Sequence, residues 1–378
     1  MTTMTESGAG KNAGRSTGIS RDRLQLSAPF EDPAEDVERR LLRLWEEVLD
    51  VQGLGALDDF FEAGGDSFAA TAMIGEIERL FGRALPPSVL LKHRSVRALA
   101  SLLRQSASAD YGRLALPIRA SGNRQPLFVV HAAPGNVLFV RHLLPHLDPE
   151  QPVYGLQARG LVEGEEPHSR FDAMAADYAE AIRSVQPRGP YLLAGYCVGG
   201  LIALEIARTL KDAGEEIRFL AMIDPCLHPS VVPWLRWAKP DAMSARFQQT
   251  VSRVVWHLKR RRLDVARRAI AGPAPMPPAP QSAQARRQRA VHAGARAALK
   301  SYRPPPFDGV VTIFFSREHK ADFEGAAARS HALASRIDIV ELGALHEHMF
   351  TTETAALGRA LQRQLDLLVE AKGDPLAA

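Results

Sequence analysis

The stretch YLLAGYCVGGLIALEIA, residues 191–207, constrains the chain more than any other part of it. An apolar, β-rich run gives way to a helical one within Gly195-Tyr196-Cys197-Val198-Gly199, the strand-to-helix pattern G-x-S-x-G with cysteine in the serine's place. The flanking glycines leave room for a turn tight enough to thrust the central side chain outward. A cysteine on an apolar strand alone is ordinarily inert core. Here strand, turn and helix adjoin, so Cys197 reads as a nucleophile whose thiolate is favoured by the helix N-terminus beside it.

The runs PLFVVH, VYGL, RFLAMID, GVVTIFF and IDIVEL are short, apolar and rich in β-branched or aromatic residues, and helical or loop stretches separate them. That alternation predicts a mostly parallel, doubly wound α/β sheet. The nucleophile needs a base and an acid to orient it, following in chain order. Asp224 closes RFLAMID, the next strand after Cys197, which brings its carboxylate to the same sheet edge. His346 lies in LGALHEHMF, beyond the last strand. Asp322, after GVVTIFF, and His348 are the rivals for these two roles. His346-Glu347-His348 sits in a loop, lacks the i, i+4 spacing of a helical zinc motif and has no cysteine cluster beside it, so no metal is expected.

Ahead of the sheet the pattern is helical. Val37, Leu41, Leu44, Trp45 and Val48 recur at three- and four-residue steps, then Phe68, Met73, Ile77 and Leu80, then Val96, Leu99, Leu102 and Leu103. The spacing predicts a small all-α bundle of about 70 residues, preceded by a flexible leader over 1–30 and followed by a linker over 106–124. Between its first two long helices stands Gly64-Gly65-Asp66-Ser67. Ser67 opens a helix, where unpaired N–H groups and the dipole suit a phosphodiester, although a serine there can equally be a plain cap.

Composition narrows the functional classes. With 47 Lys and Arg against 43 Asp and Glu the chain is nearly balanced, yet residues 230–303 carry Asp241 and Asp264 as their only acids among sixteen basic residues. GPAPMPPAP divides this insertion into two basic arms, because proline cannot continue a helix, and the whole reads as a mobile lid within a domain spanning 125–372. Arg260, Arg261, Arg262, Arg267 and Arg268 are expected to meet an acidic partner protein or an anionic substrate. No base-reading motif accompanies them, so nucleic acid is not an expected partner. Two cysteines make no disulfide framework, and the longest apolar run, LLAGYCVGGLIAL, is too short to span a bilayer. No membrane contact and a cytoplasmic location are expected.

Two stretches also resemble known families. FFEAGGDSFAATAMIGEIERLFG, with LPPSVLLKHRSVRALASLL after it, resembles the peptidyl carrier domain of nonribosomal peptide synthetases over residues 33–105, which implies a small all-α four-helix carrier bundle there. That resemblance implies that Ser67 bears a 4′-phosphopantetheine arm whose terminal thiol holds an acyl group. Residues 125–370 resemble the thioesterase domains that terminate nonribosomal peptide and polyketide assembly lines, on LFVVHAAPG, the Cys197 turn, LAMID, YRPPPFDGVVTIFFS and the H-x-x-M of His346 to Met349. An α/β-hydrolase domain with an inserted helical lid is implied. So is a triad of Cys197, His346 and Asp224, with oxyanion N–H groups from Ala133 and Val198. Stand-alone relatives take the acid one strand later, which here is Asp322. A family glycine two residues before the histidine is here Gly343, three before His346, which keeps His348 open.

Most members carry serine at the turn, and cysteine changes the chemistry. Passing an acyl group from a pantetheine thiol to Cys197 exchanges one thioester for another, so the acyl-enzyme keeps its transfer potential. The resemblance therefore implies a carrier–thioesterase that takes a chain from Ser67 onto Cys197 and releases it by hydrolysis, cyclisation or amide formation. An acyl shuttle to a second carrier protein is the alternative, and a catalytically inactive docking module a third. Upstream synthetase or loading enzymes and a phosphopantetheinyl transferase are the expected partners.

Overall fold

In the computed structural model, which describes residues 19–105, 113–225, 283–303, 305–316, 333–343, 346, 349–351 and 353–373, the periodic apolar residues of the first third close into a helical bundle. Its helices are α1 (Asp36–Leu49), α2 (Ser67–Phe81), the single turn α3 (Val89–Lys92) and α4 (Val96–Arg104). Leu41, Trp45, Met73, Ile77, Val96 and Leu99 are fully buried, and the Trp45 ring meets Phe60 edge-on at 5.2 Å. Phe68 departs from expectation and is 66% exposed. The buried stripe of α2 runs through Ala69, Ala70, Met73, Ile74 and Ile77, and position 68 falls off that face.

Part of the stretch read as a leader belongs to this bundle. Strand β1 (Ile19–Ser20) pairs in parallel with β2 (Val51–Gln52). Arg21 donates from Nε to the fully buried Asp58 at 2.8 Å, and Leu24 and Leu26 pack on the core. These anchors are scattered through polar sequence without a period, so pattern reading passes over them. Residues 1–18 lie outside the described residues.

The second half is built on a seven-stranded sheet: β3 (Ala115–Arg119), β4 (Leu127–Val130), β5 (Val153–Leu156), β6 (Tyr191–Tyr196), β7 (Ile217–Ile223), β8 (Phe307–Phe315) and β9 (Ala334–Glu341). The strand order is β3-β5-β4-β6-β7-β8-β9, parallel except where β3 runs antiparallel to β5. Strand β3 corrects the linker expected over 106–124, of which 106–112 lies outside the described residues. Pro117 disguises the strand, but at a sheet edge its missing N–H leaves no central ladder bond unmade.

Alternate strand residues serve the two faces, as the pleat requires. Phe128, Val130, Leu193, Met222 and Ile313 pack under α5 (Phe171–Val185) and α6 (Val198–Asp212). Leu127, Val129, Ala194, Ile223 and Phe314 face the 3-10 helix Leu138–His146 and the C-terminal helix α8 (Thr354–Gly373). Preceding β8, helix α7 (Ala283–Ser301) adds Ala298 to the first face. It is the described part of the insertion expected as a lid over 230–303. Arg260, Arg261, Arg262, Arg267 and Arg268 lie outside the described residues.

Candidate active site

Strand register places the central residues. Tyr196 on β6 is paired with Ile223 on β7, so the next residues, Cys197 and Asp224, leave neighbouring parallel strands side by side. Cys197 takes φ 57 and ψ −121, and its amide donates to the Ile223 carbonyl at 2.9 Å. A positive φ is strained for any side chain, and such strain persists where the surroundings over-determine it. Here they do: a Cβ on Gly195 would lie 2.0 Å from the Gly199 oxygen, and one on Gly199 would lie 2.3 Å from the His131 oxygen. Gly199→Ala is therefore expected to lower stability by about 1–3 kcal/mol or more, read by thermal or denaturant melting, because backbone rather than a movable side chain must give way.

Asp224 is fully buried, with φ 43. Its N–H donates to the Phe314 carbonyl at 2.7 Å, and its Oδ1 accepts from the Ser316 amide at 2.9 Å. Its Oδ2 accepts from Nδ1 of His346, which brings the two residues together. A buried carboxylate is costly unless hydrogen-bonded, and both of its oxygens are engaged.

The loop carrying His346 is fixed by Tyr196, which no sequence motif marks, and by Met349 of the H-x-x-M pattern. The His346 carbonyl accepts from the Tyr196 hydroxyl at 2.7 Å and from the Met349 amide at 3.4 Å. The imidazole stacks on the Tyr196 ring at 5.0 Å and 26°, and Tyr196 in turn meets Phe350 at 4.7 Å and Phe139 at 5.7 Å. Met349 is fully buried, which explains the H-x-x-M spacing as an anchor for the histidine. Tyr196 stands between Gly195 and Cys197, where the turn pattern admits any residue, so no motif could have flagged it. Asp322 and His348 lie outside the described residues.

The loop after β4 lies against the Cys197 turn, as the approach of Gly199 to the His131 carbonyl shows. Ala133 is held in a turn closed by Gly135 N–H donating to the Ala132 carbonyl at 2.9 Å. Val198 is the first residue of α6, where an N–H has no intrahelical acceptor. His131 itself is buried, and burial holds its pKa down to about 4. Its Nδ1 lies 2.7 Å from the Ala132 carbonyl and its Nε2 2.7 Å from the Tyr178 hydroxyl. The neutral ring thus donates from Nδ1 and accepts at Nε2, a structural role.

In the bundle, Asp66 rather than Ser67 caps α2: its Oδ1 accepts from the Phe68 and Ala69 amides at 2.9 and 2.8 Å. Ser67 is half-buried, and its hydroxyl has no hydrogen-bond partner among the described residues. Gly64, three residues earlier, takes φ 94, and a Cβ there would meet nothing within 4 Å. Among the described residues no group of His, Cys, Asp and Glu gathers as a metal site requires, and no helix is long and apolar enough to cross a membrane.

Residues 125–351 match the thioesterase domain family, and residues 39–103 match the phosphopantetheine attachment site family. The chain is similar to malpinin synthetase of Mortierella alpina, 38% identical over 217 residues, which cover 54% of this chain and 3% of that protein. It is likewise similar to a dimodular nonribosomal peptide synthase of Bacillus subtilis (strain 168), 38% identical over 192 residues, covering 51% of this chain and 8% of the relative. The curated relatives are thus far longer than the matched segment. A solved four-domain nonribosomal peptide synthetase bound to AMP and glycine shares the fold over 90% of this chain and 27% of its own, with a TM-score of 0.57 at 23% identity.

Proposed function

Because the chain belongs to the thioesterase domain family and carries a phosphopantetheine-binding carrier domain ahead of it, we propose that it takes an acyl or peptidyl chain from Ser67 onto Cys197 and releases it. The hydrogen-bonded His346–Asp224 pair beside the Cys197 turn is the observation that carries this reading. The carrier family binds 4′-phosphopantetheine covalently, and Ser67 fits as its attachment point. Asp66 does the capping, so the Ser67 hydroxyl is not committed, and it sits at a helix start suited to an anion. When bound, the arm supplies a thiol that presents the acyl group as a thioester.

The chain's own residues then act in order. Asp224 accepts from Nδ1 of His346 and so fixes the tautomer whose Nε2 can take the Cys197 proton. The Cys197 thiolate attacks the acyl carbonyl, and the Ala133 and Val198 N–H groups receive the oxyanion. His346 returns the proton to the departing thiolate, leaving the acyl group on Cys197. The same imidazole then deprotonates the acceptor, whether water, an internal nucleophile or an amine.

Cys197→Ser tests what the thiol contributes. The variant keeps the turn but forms an oxoester, whose transfer potential is lower. If release is by cyclisation or aminolysis, the serine protein is expected to accumulate acyl-enzyme or divert to hydrolysis, read by mass spectrometry of protein and product. Equal rates and the same product from both proteins would show the thiol to be incidental. Acyl groups arriving on an added carrier protein would instead establish the shuttle.

A further inference from the structure

The carrier bundle is seated on the thioesterase half along one stripe of α2. Thr71 and Glu78 stand four and eleven residues after Ser67, on the same helical face. Gln288 of α7 donates from Nε2 to Thr71 Oγ1 at 3.3 Å. The Gln284 amide donates to Glu78 Oε2 at 2.9 Å, and Arg287 lies 3.7 Å from the same oxygen. At the Ser67 end, Leu138 joins the carrier core, and Arg141, from the same 3-10 helix, donates from Nη2 to the Gly65 carbonyl at 3.0 Å. The Arg141 guanidinium lies 3.9 Å over the Phe61 ring.

This guanidinium is incompletely used. Its Nε–H is buried and meets no acceptor among the described residues, although a buried donor left unmade is costly. Asp66, the nearby acid, is occupied in capping α2, and Asp59 is paired with Arg94 at 2.6 Å. The same guanidinium, through Nη2, reaches the carbonyl of Gly65, two residues before Ser67, from the thioesterase side of the seam, and the proposed chemistry introduces a further acceptor there, the phosphodiester on that serine.

We propose that Arg141 is the residue by which the thioesterase half recognises the loaded carrier, taking the Ser67-linked phosphodiester on its unpartnered Nε edge while Glu78 and Arg287 fix the far end of the helix. The inference rests on Ser67 being the site of attachment. A planar fork stacked on Phe61 is suited to a phosphate in a way that a lysine's point charge is not. Docking is then coupled to modification, because the holo carrier satisfies a donor that the apo carrier leaves bare.

Phosphorus-31 NMR of the full-length holo protein tests this without reference to turnover. The native resonance is expected to differ from that of the urea-unfolded protein, and Arg141→Gln and Arg141→Lys should both move it toward the unfolded value. Attachment of the arm should also raise the melting temperature of the native protein by about 2–4 °C and that of Arg141→Gln by less than half as much. Should Arg141→Gln fold poorly, Arg141→Lys retains the charge and carries the same expectation for the resonance. An attached arm whose resonance ignores both substitutions overturns this inference alone. Failure of Ser67 to accept the arm overturns the attachment site, and the inference with it.

Discussion

Cys197→Ala should strand the acyl group on Ser67 and slow product formation by a factor on the order of 10⁴ to 10⁶, the range seen when a covalent nucleophile is removed from an intact constellation. The size follows from the role proposed for the residue. Without the thiol, the His346–Asp224 pair has no proton to take from a nucleophile, and only binding and the N–H groups proposed as oxyanion donors, those of Ala133 and Val198, would still favour attack by water. Stability should change little, because the alanine keeps the Cβ and the strained backbone at φ 57. Single-turnover release from acyl-loaded protein is the measurement, with melting as the control. Release within tenfold of the native rate would remove Cys197 from the reaction.

Asp224→Asn should cost about 10⁴-fold in the same assay, a loss of the kind that follows when an amide replaces the carboxylate behind a catalytic imidazole. Asp224 accepts at Oδ1 from the Ser316 amide and at Oδ2 from Nδ1 of His346. Asparagine can present its carbonyl to only one of these donors, so its NH₂ group must face the other. If the amide faces His346, the ring takes the opposite tautomer and its Nε2 becomes a donor in place of a base. If it faces Ser316, two buried donors oppose one another. Asp322→Asn is the paired control and should be nearly silent. A large loss from Asp322→Asn and a small one from Asp224→Asn would reverse the assignment of the acid.

Local chemistry made much of this legible in the sequence. The Gly195 and Gly199 pair could be read as a turn because only glycine tolerates the backbone approaches of 2.0 and 2.3 Å found there. Strand β7 could be read to its last residue because Asp224 interrupts an apolar run, and the register of β6 with β7 carries that position to Cys197. The bundle core followed from the helical period of residues such as Trp45 and Met73.

What escaped was nonlocal or disguised. Strand β3 carries Pro117, which argues against a strand until its edge position is known. The tie between Arg21 and Asp58 spans 37 residues of sequence with no shared motif. Tyr196 holds the His346 loop across 150 residues through a hydroxyl and a ring face, contacts that periodicity does not encode. The same holds for the seam: charge counting directed attention to Arg260, Arg261 and Arg262, whereas the described polar contacts to the carrier include those of Arg141, Gln284, Arg287 and Gln288. Two of these four are uncharged, and so are invisible to a count of basic residues.

Site-resolved mass spectrometry tests the central claim most directly. The native holo protein is loaded with an acyl group, quenched in acid at short intervals and digested, and the peptides containing Ser67 and Cys197 are followed separately. The acyl mass should leave the Ser67 peptide and appear on the Cys197 peptide before product accumulates, and in Asp224→Asn it should remain on Ser67. Product formed at the native rate with no acyl mass ever on the Cys197 peptide would contradict the account.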